Sequence, residues 1–132
     1  MSVTQELKDD HKVLSEELGK IQQYGIVSEE GRKHFFSLKE KLLSHLNKED
    51  EKIYPLLEKA AENDKVLKGQ LDAFQEEMKD ISKKAMDFFA KYEADTKDPS
   101  FAADLAGLIA LLKSRIRKEE MILYKRFDEI DG

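Results

Sequence analysis

Hydrophobic residues recur at intervals of three and four along the first half of the chain, which is the period of an amphipathic helix. Two helices are predicted there: one runs from a capping box at Ser2 and Gln5 to about Tyr24, and one begins after Ser28, a candidate N-cap. Pro55 is expected to kink or end the second helix. The inward-facing positions, which we call the seam of each helix, are Leu7, His11, Leu14, Leu18 and Ile21 in the first, and Phe35, Leu38, Leu42, His45, Glu49, Ile53 and Leu56 in the second.

The second half of the chain has the same period and predicts two more helices. Asn63 is the candidate cap of the third helix, which ends in the polar linker "EADTKDPS"; Asp98 as cap and Pro99 at the first helical position begin the fourth. Four long helices with short connections predict an all-α fold, an antiparallel up-down-up-down four-helix bundle. The seams are Leu67, Leu71, Phe74, Met78, Ile81, Ala85, Phe88 or Phe89, and Tyr92 in the third helix, and Phe101, Leu105, Leu108, Leu112, Arg115, Glu119, Ile122 and Arg126 in the fourth.

Composition agrees with this fold and narrows the possible functions. A chain of 132 residues is predicted to form a single domain over residues 1–132, and 40% hydrophobic with 39% charged residues is typical of a helical protein. Without Cys, a metal must be held by His, carboxylate or amide oxygen. Interspersed charges with a net value of −5 offer no basic stripe to nucleic acid. Neither a leader peptide nor a long apolar run is found, so we expect a cytoplasmic protein with no membrane partner.

Polar residues interrupt the apolar seam of the second helix. His45 and Glu49 in "HLNKEDEKIY" are four residues apart, so they point from one helix face and can converge on a single cation. An unpaired carboxylate on a buried seam is costly and therefore requires a positive partner. A metal ion is one candidate partner, and Arg115 on the seam of the fourth helix is the other.

The chain also repeats itself by halves. "HLNKEDEKIY" at 45–54 aligns without gaps with "RIRKEEMILY" at 115–124, and a weaker alignment of "LKDDH" with "LDAFQ" pairs the first and third helices. If both alignments hold, one polar layer crosses the bundle at a common level. Its members would be His11, His45, Glu49, Gln75, Arg115 and Glu119.

In these residues the chain resembles the hemerythrin-like, or HHE cation-binding, proteins over essentially its whole length. The likeness is carried by His11 in "LKDDHKVL", by "HLNKEDEKIYPLL" from His45 and by "KEEMILY" near the end of the last helix. It implies a four-helix bundle that holds non-haem iron between its helices. The resemblance assigns His11 and His45 as ligands of one iron, Glu49 and Glu119 as bridging carboxylates, and Tyr54 and Tyr124 as residues packed below the site.

Two departures change what the resemblance implies. Members of the family carry His where this chain has Gln75 and Arg115, and the third helix here contains no His. An Arg side chain cannot ligate a metal, and its fixed positive charge repels a second cation. The second iron position is therefore expected to be lost, with Arg115 neutralising Glu119 and Glu49 in its place.

Two interpretations then stay open. In the first, one iron ion, or zinc or manganese instead, is held by His11, His45, Glu49 and Glu119, and the protein senses or handles oxygen, nitric oxide or iron. In the second, no metal binds, and the bundle is an interaction or scaffold domain in which Arg115 replaces the metal charge. An enzyme is not expected, because an oxidase or peroxidase also needs an open coordination position and a substrate pocket.

Overall fold

All four predicted helices are present in the computed structural model, which describes residues 2–131 and places no strand among them. They pack as an all-α four-helix bundle. We call each of its four members a rod, because the second and the fourth are divided into shorter helical elements. No helix within residues 2–131 has the length and apolar character needed to cross a membrane. The first rod is α1 (Val3–Tyr24), the second α2 (Glu29–Lys52) with α3 (Tyr54–Ala61), the third α4 (Lys65–Ala94), and the fourth α5 (Phe101–Lys118), a π-helical turn (Glu119–Leu123) and α6 (Tyr124–Asp131).

The first two helices begin at the predicted caps. Ser2 Oγ accepts a hydrogen bond of 3.1 Å from the Gln5 backbone N–H, and Ser28 Oγ accepts one of 3.0 Å from the Gly31 N–H. Helix α1 ends at Gly25, whose φ of 77° suits a residue without a side chain. The short turn that follows returns the chain antiparallel along α1 and so brings the two seams face to face.

The predicted cap of α4 was wrong by one residue. Asp64, and not Asn63, has extended backbone, and its Oδ1 accepts a hydrogen bond of 3.0 Å from the Leu67 N–H. Asn63 belongs to the preceding turn, where its N–H bonds to the Ala60 carbonyl at 3.4 Å. Asn and Asp are about equally good caps, so the neighbouring positions could not be distinguished by residue type.

The predicted start of α5 was also wrong. The helix begins at Phe101, after Asp98 and Pro99. Asp98 Oδ1 instead accepts the Ser100 N–H at 2.8 Å and closes the turn that precedes the helix. Asp followed by Pro suits a turn as well as a helix start, and Asp98 gains a second contact in the turn, 3.5 Å from Lys91 on α4.

The second rod changes direction where predicted. It breaks at Ile53, two residues before Pro55, which stands in the first turn of α3. The break shifts the inward face by one position, so that Leu57 is buried and the predicted Leu56 is only partly buried. The other predicted seam residues of the first two rods are buried.

The fourth rod contains a π-helical turn that the seam did not predict. The Tyr124 N–H bonds to the carbonyl of Glu119, five residues earlier, instead of four as in an α-helix. One residue is thereby inserted, and the inward face beyond it moves by one position. Leu123 and Phe127 are buried where the seam predicts Ile122 and Arg126.

The packing of the rods sets the level of the polar residues. The rings of Phe35, Phe88 and Phe89 fill the core near the turn between α1 and α2. Helix α1 packs against α2 and α5, whereas α2 and α4 leave between them an open groove of about 510 Å³. The polar seam residues therefore lie deeper along the bundle, between rods one, two and four, with the groove on their far side.

Candidate metal centre

Five polar or charged side chains meet in the interior of the bundle, and each is at most 5% exposed. Helix α1 contributes His11, and α2 contributes His45 and Glu49 one turn apart. The fourth rod contributes Arg115 and Glu119, also one turn apart. All four sequence-predicted ligands, together with the predicted Arg115, are thus brought to one level by the antiparallel packing of three rods.

The Nε2 atoms of the two buried imidazoles face each other at 3.1 Å. Glu119 Oε1 lies 2.8 Å from the Nε2 of His11 and 3.5 Å from that of His45. Ligand atoms that bind one ion at about 2.0–2.2 Å are about 2.8–3.6 Å from one another. The three atoms therefore have the separations of a metal-ligand set, and two imidazoles with one carboxylate suit iron, zinc or manganese.

The outer nitrogen of each imidazole is held by a carboxylate. His11 Nδ1–H donates to Glu120 Oε2 at 2.7 Å, and His45 Nδ1–H donates to Asp10 Oδ2 at 3.2 Å. Such bonds fix the ring and direct the Nε2 atom inward, which is how metal-binding His residues are usually oriented. Asp10 was missed from the sequence because nothing in its spacing connects it with His45 across the helix pair.

Glu49 lies beside the three-atom set without joining it. Its Oε1 is 3.4 Å from His45 Nε2 and accepts from Arg115, while its Oε2 accepts from the hydroxyl of Tyr124 at 3.1 Å. The residues whose ligand atoms all lie within 4.8 Å of one another are His11, His45 and Glu119. The ligand role of Glu49 stays a prediction.

Arg115 spans the two buried carboxylates. Its Nε donates to Glu119 Oε2 at 3.0 Å and its Nη2 to Glu49 Oε1 at 3.4 Å, while Nη1 donates to Ser82 Oγ at 2.9 Å. Burial alone would lower the pKa of Arg115, but the charges of Glu119 and Glu49 outweigh it and raise that pKa. A permanent positive charge therefore lies between the carboxylates, as predicted for a replacement of a second ion.

The pKa values of the two carboxyl groups shift in opposite directions. Burial, followed by the charge of Glu119, raises the pKa of Glu49 far above its ordinary value. Burial also opposes ionisation of Glu119, but hydrogen bonds from His11 and His45 and the charge of Arg115 outweigh it and lower the pKa of Glu119 well below its usual range. Glu119 is consequently the carboxyl group of the pair that ionises more readily.

His11 carries positive charge more readily than a free imidazole. Burial lowers its pKa, but the hydrogen bond to Glu119 and the charges of Glu119 and Glu120 outweigh burial and raise the pKa of His11 above its ordinary value. A proton on Nε2 therefore lies where a cation would bind in its place. A metal ion at this position would have to displace that proton, so its binding would weaken as the pH falls.

Gln75 does not belong to the polar layer, contrary to the prediction from the weaker alignment. Its side-chain NH₂ donates to Glu58 Oε1 at 3.1 Å beside the groove, and α4 reaches the layer through Ser82 instead. Ser82 follows Gln75 by seven residues, which places it on the same helix face but about 10 Å further along the axis. The alignment identified the right face of α4 at the wrong height.

The two repeat-related tyrosines have different positions. Tyr124 is fully buried, and its hydroxyl lies within hydrogen-bond distance of His11, His45, Glu49 and Glu119. Tyr54 is 8% exposed and lines the groove. Both rings were predicted to pack below the site. The prediction did not include the Tyr124 hydroxyl among the groups inside the site, where it lies.

His34, the third His of the chain, is remote from the centre, because it precedes His45 by eleven residues, about 16 Å along the helix axis. Its Nδ1–H donates to Glu17 Oε2 at 2.9 Å, and its ring stacks against Tyr24. The side chain is 24% exposed. His34 is therefore a natural control for substitutions of the two buried imidazoles.

Comparison with known proteins agrees with this geometry. Searches of the curated proteins and of the solved structures found no match to the chain. A family model described as the hemerythrin HHE cation binding domain matches residues 2–127, which is nearly the whole chain. The chain therefore belongs to the hemerythrin HHE cation-binding domain family.

Proposed function

We propose that this protein binds a single metal ion, with iron the first candidate, at His11, His45 and Glu119, and that Glu49 joins them as a further carboxylate ligand. The observation that supports the proposal is the triangle formed by two imidazole Nε2 atoms and one carboxylate oxygen, with edges of 2.8–3.5 Å. An iron ion held there would bind a small ligand such as oxygen or nitric oxide.

The position of Arg115 argues for one ion and against two. Its guanidinium contacts both Glu49 and Glu119, so any second cation would have to lie close to a fixed positive charge. Helix α4 faces the guanidinium with Ser82, whose neutral hydroxyl is a weak ligand. The proposed centre is thus mononuclear and confined to the side of the layer formed by α1, α2 and the π-helical turn.

The surroundings of the proposed site favour a small neutral ligand over a bulky substrate. A cavity of about 10 Å³ adjoins the two His residues, a size close to that of one water molecule. Apolar side chains from three helices close it on the other side: Leu14, Leu42, Leu112 and Ile116. A diatomic ligand matches this cavity, and we accordingly propose binding and sensing rather than turnover.

Loading with metal tests the proposal directly. After incubation with ferrous iron under argon and removal of excess metal, the wild-type protein should retain about one equivalent, and His45→Ala should retain less than about a tenth of that. His34→Ala is the matched control and should bind like wild type, since His34 pairs with Glu17 away from the centre. Elemental analysis gives the metal content; wild-type protein that retains no iron, zinc or manganese would contradict the proposal.

A second candidate function is that of a metal-free scaffold domain. It is favoured by the three hydrogen bonds of Arg115, which supply positive charge to both buried carboxylates without any metal ion. The two candidates differ in thermal stability. A ligand that binds only the folded state adds about 2.7 kcal/mol at one hundred times its Kd. We expect zinc to raise the Tm of wild type and of His34→Ala but not of His45→Ala; a Tm that zinc leaves unchanged in all three would favour the scaffold.

A further inference from the structure

We propose that Tyr124 is a protein ligand of the same ion, so that its phenolate oxygen adds a donor to His11, His45 and Glu119, with Glu49 as the further carboxylate beside them. This inference rests on the proposed function and deepens it. Tyrosine was not among the predicted ligands. What carries the inference is the position of the Tyr124 hydroxyl over the three ligand atoms already described.

The hydroxyl oxygen is nearly equidistant from the other three donors. It lies 3.2 Å from His11 Nε2, 3.4 Å from His45 Nε2 and 3.3 Å from Glu119 Oε1. With the three edges of 2.8, 3.1 and 3.5 Å, these distances describe a slightly irregular tetrahedron. The centre of a tetrahedron of that size lies about 2 Å from each corner, which is the bond length of such donors to zinc.

The π-helical turn is what brings the fourth donor into place. Residues five apart on an α-helix point about 140° away from each other, so that a regular helix would not direct both Glu119 and Tyr124 into one site. Here the Tyr124 N–H bonds to the Glu119 carbonyl, and both side chains are almost completely buried in the same site. π-Helical turns of this kind are rare and are often found at functional sites.

The phenol ring is also held in position. It stacks on the His11 ring with centroids 5.6 Å apart and planes inclined by 14°, and the side chain has no exposed surface. The hydroxyl donates to Glu49 Oε2 at 3.1 Å as well as to Glu119. Glu49 therefore bonds to the Tyr124 hydroxyl and to Arg115, and supports the site from its edge.

Ligation exchanges a proton for the metal and changes no oxidation state. The phenol O–H bond breaks, both of its electrons stay on oxygen and form the bond to the cation, and the proton leaves to solvent. Burial, with the charges of Glu119 and Glu49, raises the pKa of Tyr124 in the metal-free protein, and a bound cation reverses such a preference, as it does for water on zinc. An anionic phenolate is a strong donor to ferric iron, as in the haem site of catalase.

Spectroscopy of the ferric protein tests this ligand. Loaded with ferric nitrilotriacetate and freed of excess chelate, the wild type should show a visible iron(III)–phenolate charge-transfer band and resonance-enhanced tyrosine vibrations at one iron per chain. Tyr124→Phe should lose at least nine tenths of the band while retaining iron. Tyr54→Phe, the repeat-related control, should keep the band, since Tyr54 is a groove residue.

The outcomes separate this inference from the function on which it rests. Wild-type protein that binds one iron but shows no tyrosine vibrations would overturn the Tyr124 ligand and leave the proposed function intact. A band that survives in Tyr124→Phe, or that disappears in Tyr54→Phe, would overturn it as well. Wild-type protein that binds no iron would overturn the Tyr124 ligand, and protein that binds no iron, zinc or manganese would overturn the proposed function as well. The wild-type Raman spectrum is decisive even if Tyr124→Phe does not fold.

Discussion

Replacing Arg115 with alanine should lower the free energy of unfolding by about 3–5 kcal/mol, the usual cost of removing one partner of a buried ion pair. Glu119 remains ionised in the interior and loses the guanidinium that bonds to it at 3.0 Å, and Glu49 loses its own contact with the same group. Equilibrium unfolding in urea at pH 7, with metal removed by a chelator, measures the loss.

Arg117→Ala is the matched control, because Arg117 lies two residues away on the exposed face of α5. Its free energy of unfolding should stay within about 0.5 kcal/mol of wild type. Zinc or ferrous iron should restore part of the stability of Arg115→Ala, since a cation supplies the missing positive charge to the carboxylates. If Arg115→Ala leaves the free energy of unfolding unchanged or raises it, Arg115 does not neutralise the buried carboxylates.

Converting both Ser82 and Arg115 to histidine should create a second metal position. The two new imidazoles would face the carboxylates of Glu49 and Glu119 from α4 and α5, where the Arg115 to Ser82 contact is 2.9 Å. Removal of the fixed positive charge also ends the repulsion of a second cation. We expect metal content to rise from about one to about two equivalents after ferrous loading in air, with the absorption of a coupled di-iron centre.

The control for this variant carries the same number of new histidines, with the one on α4 at another height. In the pair Gln75→His and Arg115→His, the imidazole on α4 would stand about 10 Å from the level of Ser82. Gln75 bonds to Glu58 beside the groove and does not reach the layer. The metal content of this control should stay near one equivalent. If the control binds a second ion and the Ser82 variant does not, the polar layer meets α4 at the level of Gln75 and not of Ser82.

Much of the fold could be predicted because helix periodicity is a local property. The seams placed His11, His45, Glu49, Arg115 and Glu119 inward, and all five are buried. Their pairing within each rod also follows from local geometry, since residues four apart on a helix are neighbours. The predicted neutralisation of Glu49 and Glu119 by Arg115 agrees with the observed bonds, because a buried carboxylate requires a positive partner and few were available.

The misplacements of Gln75 and Ile122 have different physical causes. Heights along a rod depend on how helices slide past each other, and sequence spacing within one helix says nothing about that; Gln75 was therefore placed two turns from the level that Ser82 occupies. The π-helical turn was likewise invisible to a pattern that assumes a constant period, so Ile122 was chosen where Leu123 is buried.

The amino-acid sequence by itself determined the four-helix bundle, the polar residues in its interior and the family to which the chain belongs, because each depends on residue type and on spacing along one helix. Only the tertiary structure decided which atoms converge. The contact of Asp10 with His45, of Glu120 with His11 and of the Tyr124 hydroxyl with both imidazoles joins different rods, or crosses an irregular turn. Such distances are set by the packing of whole helices.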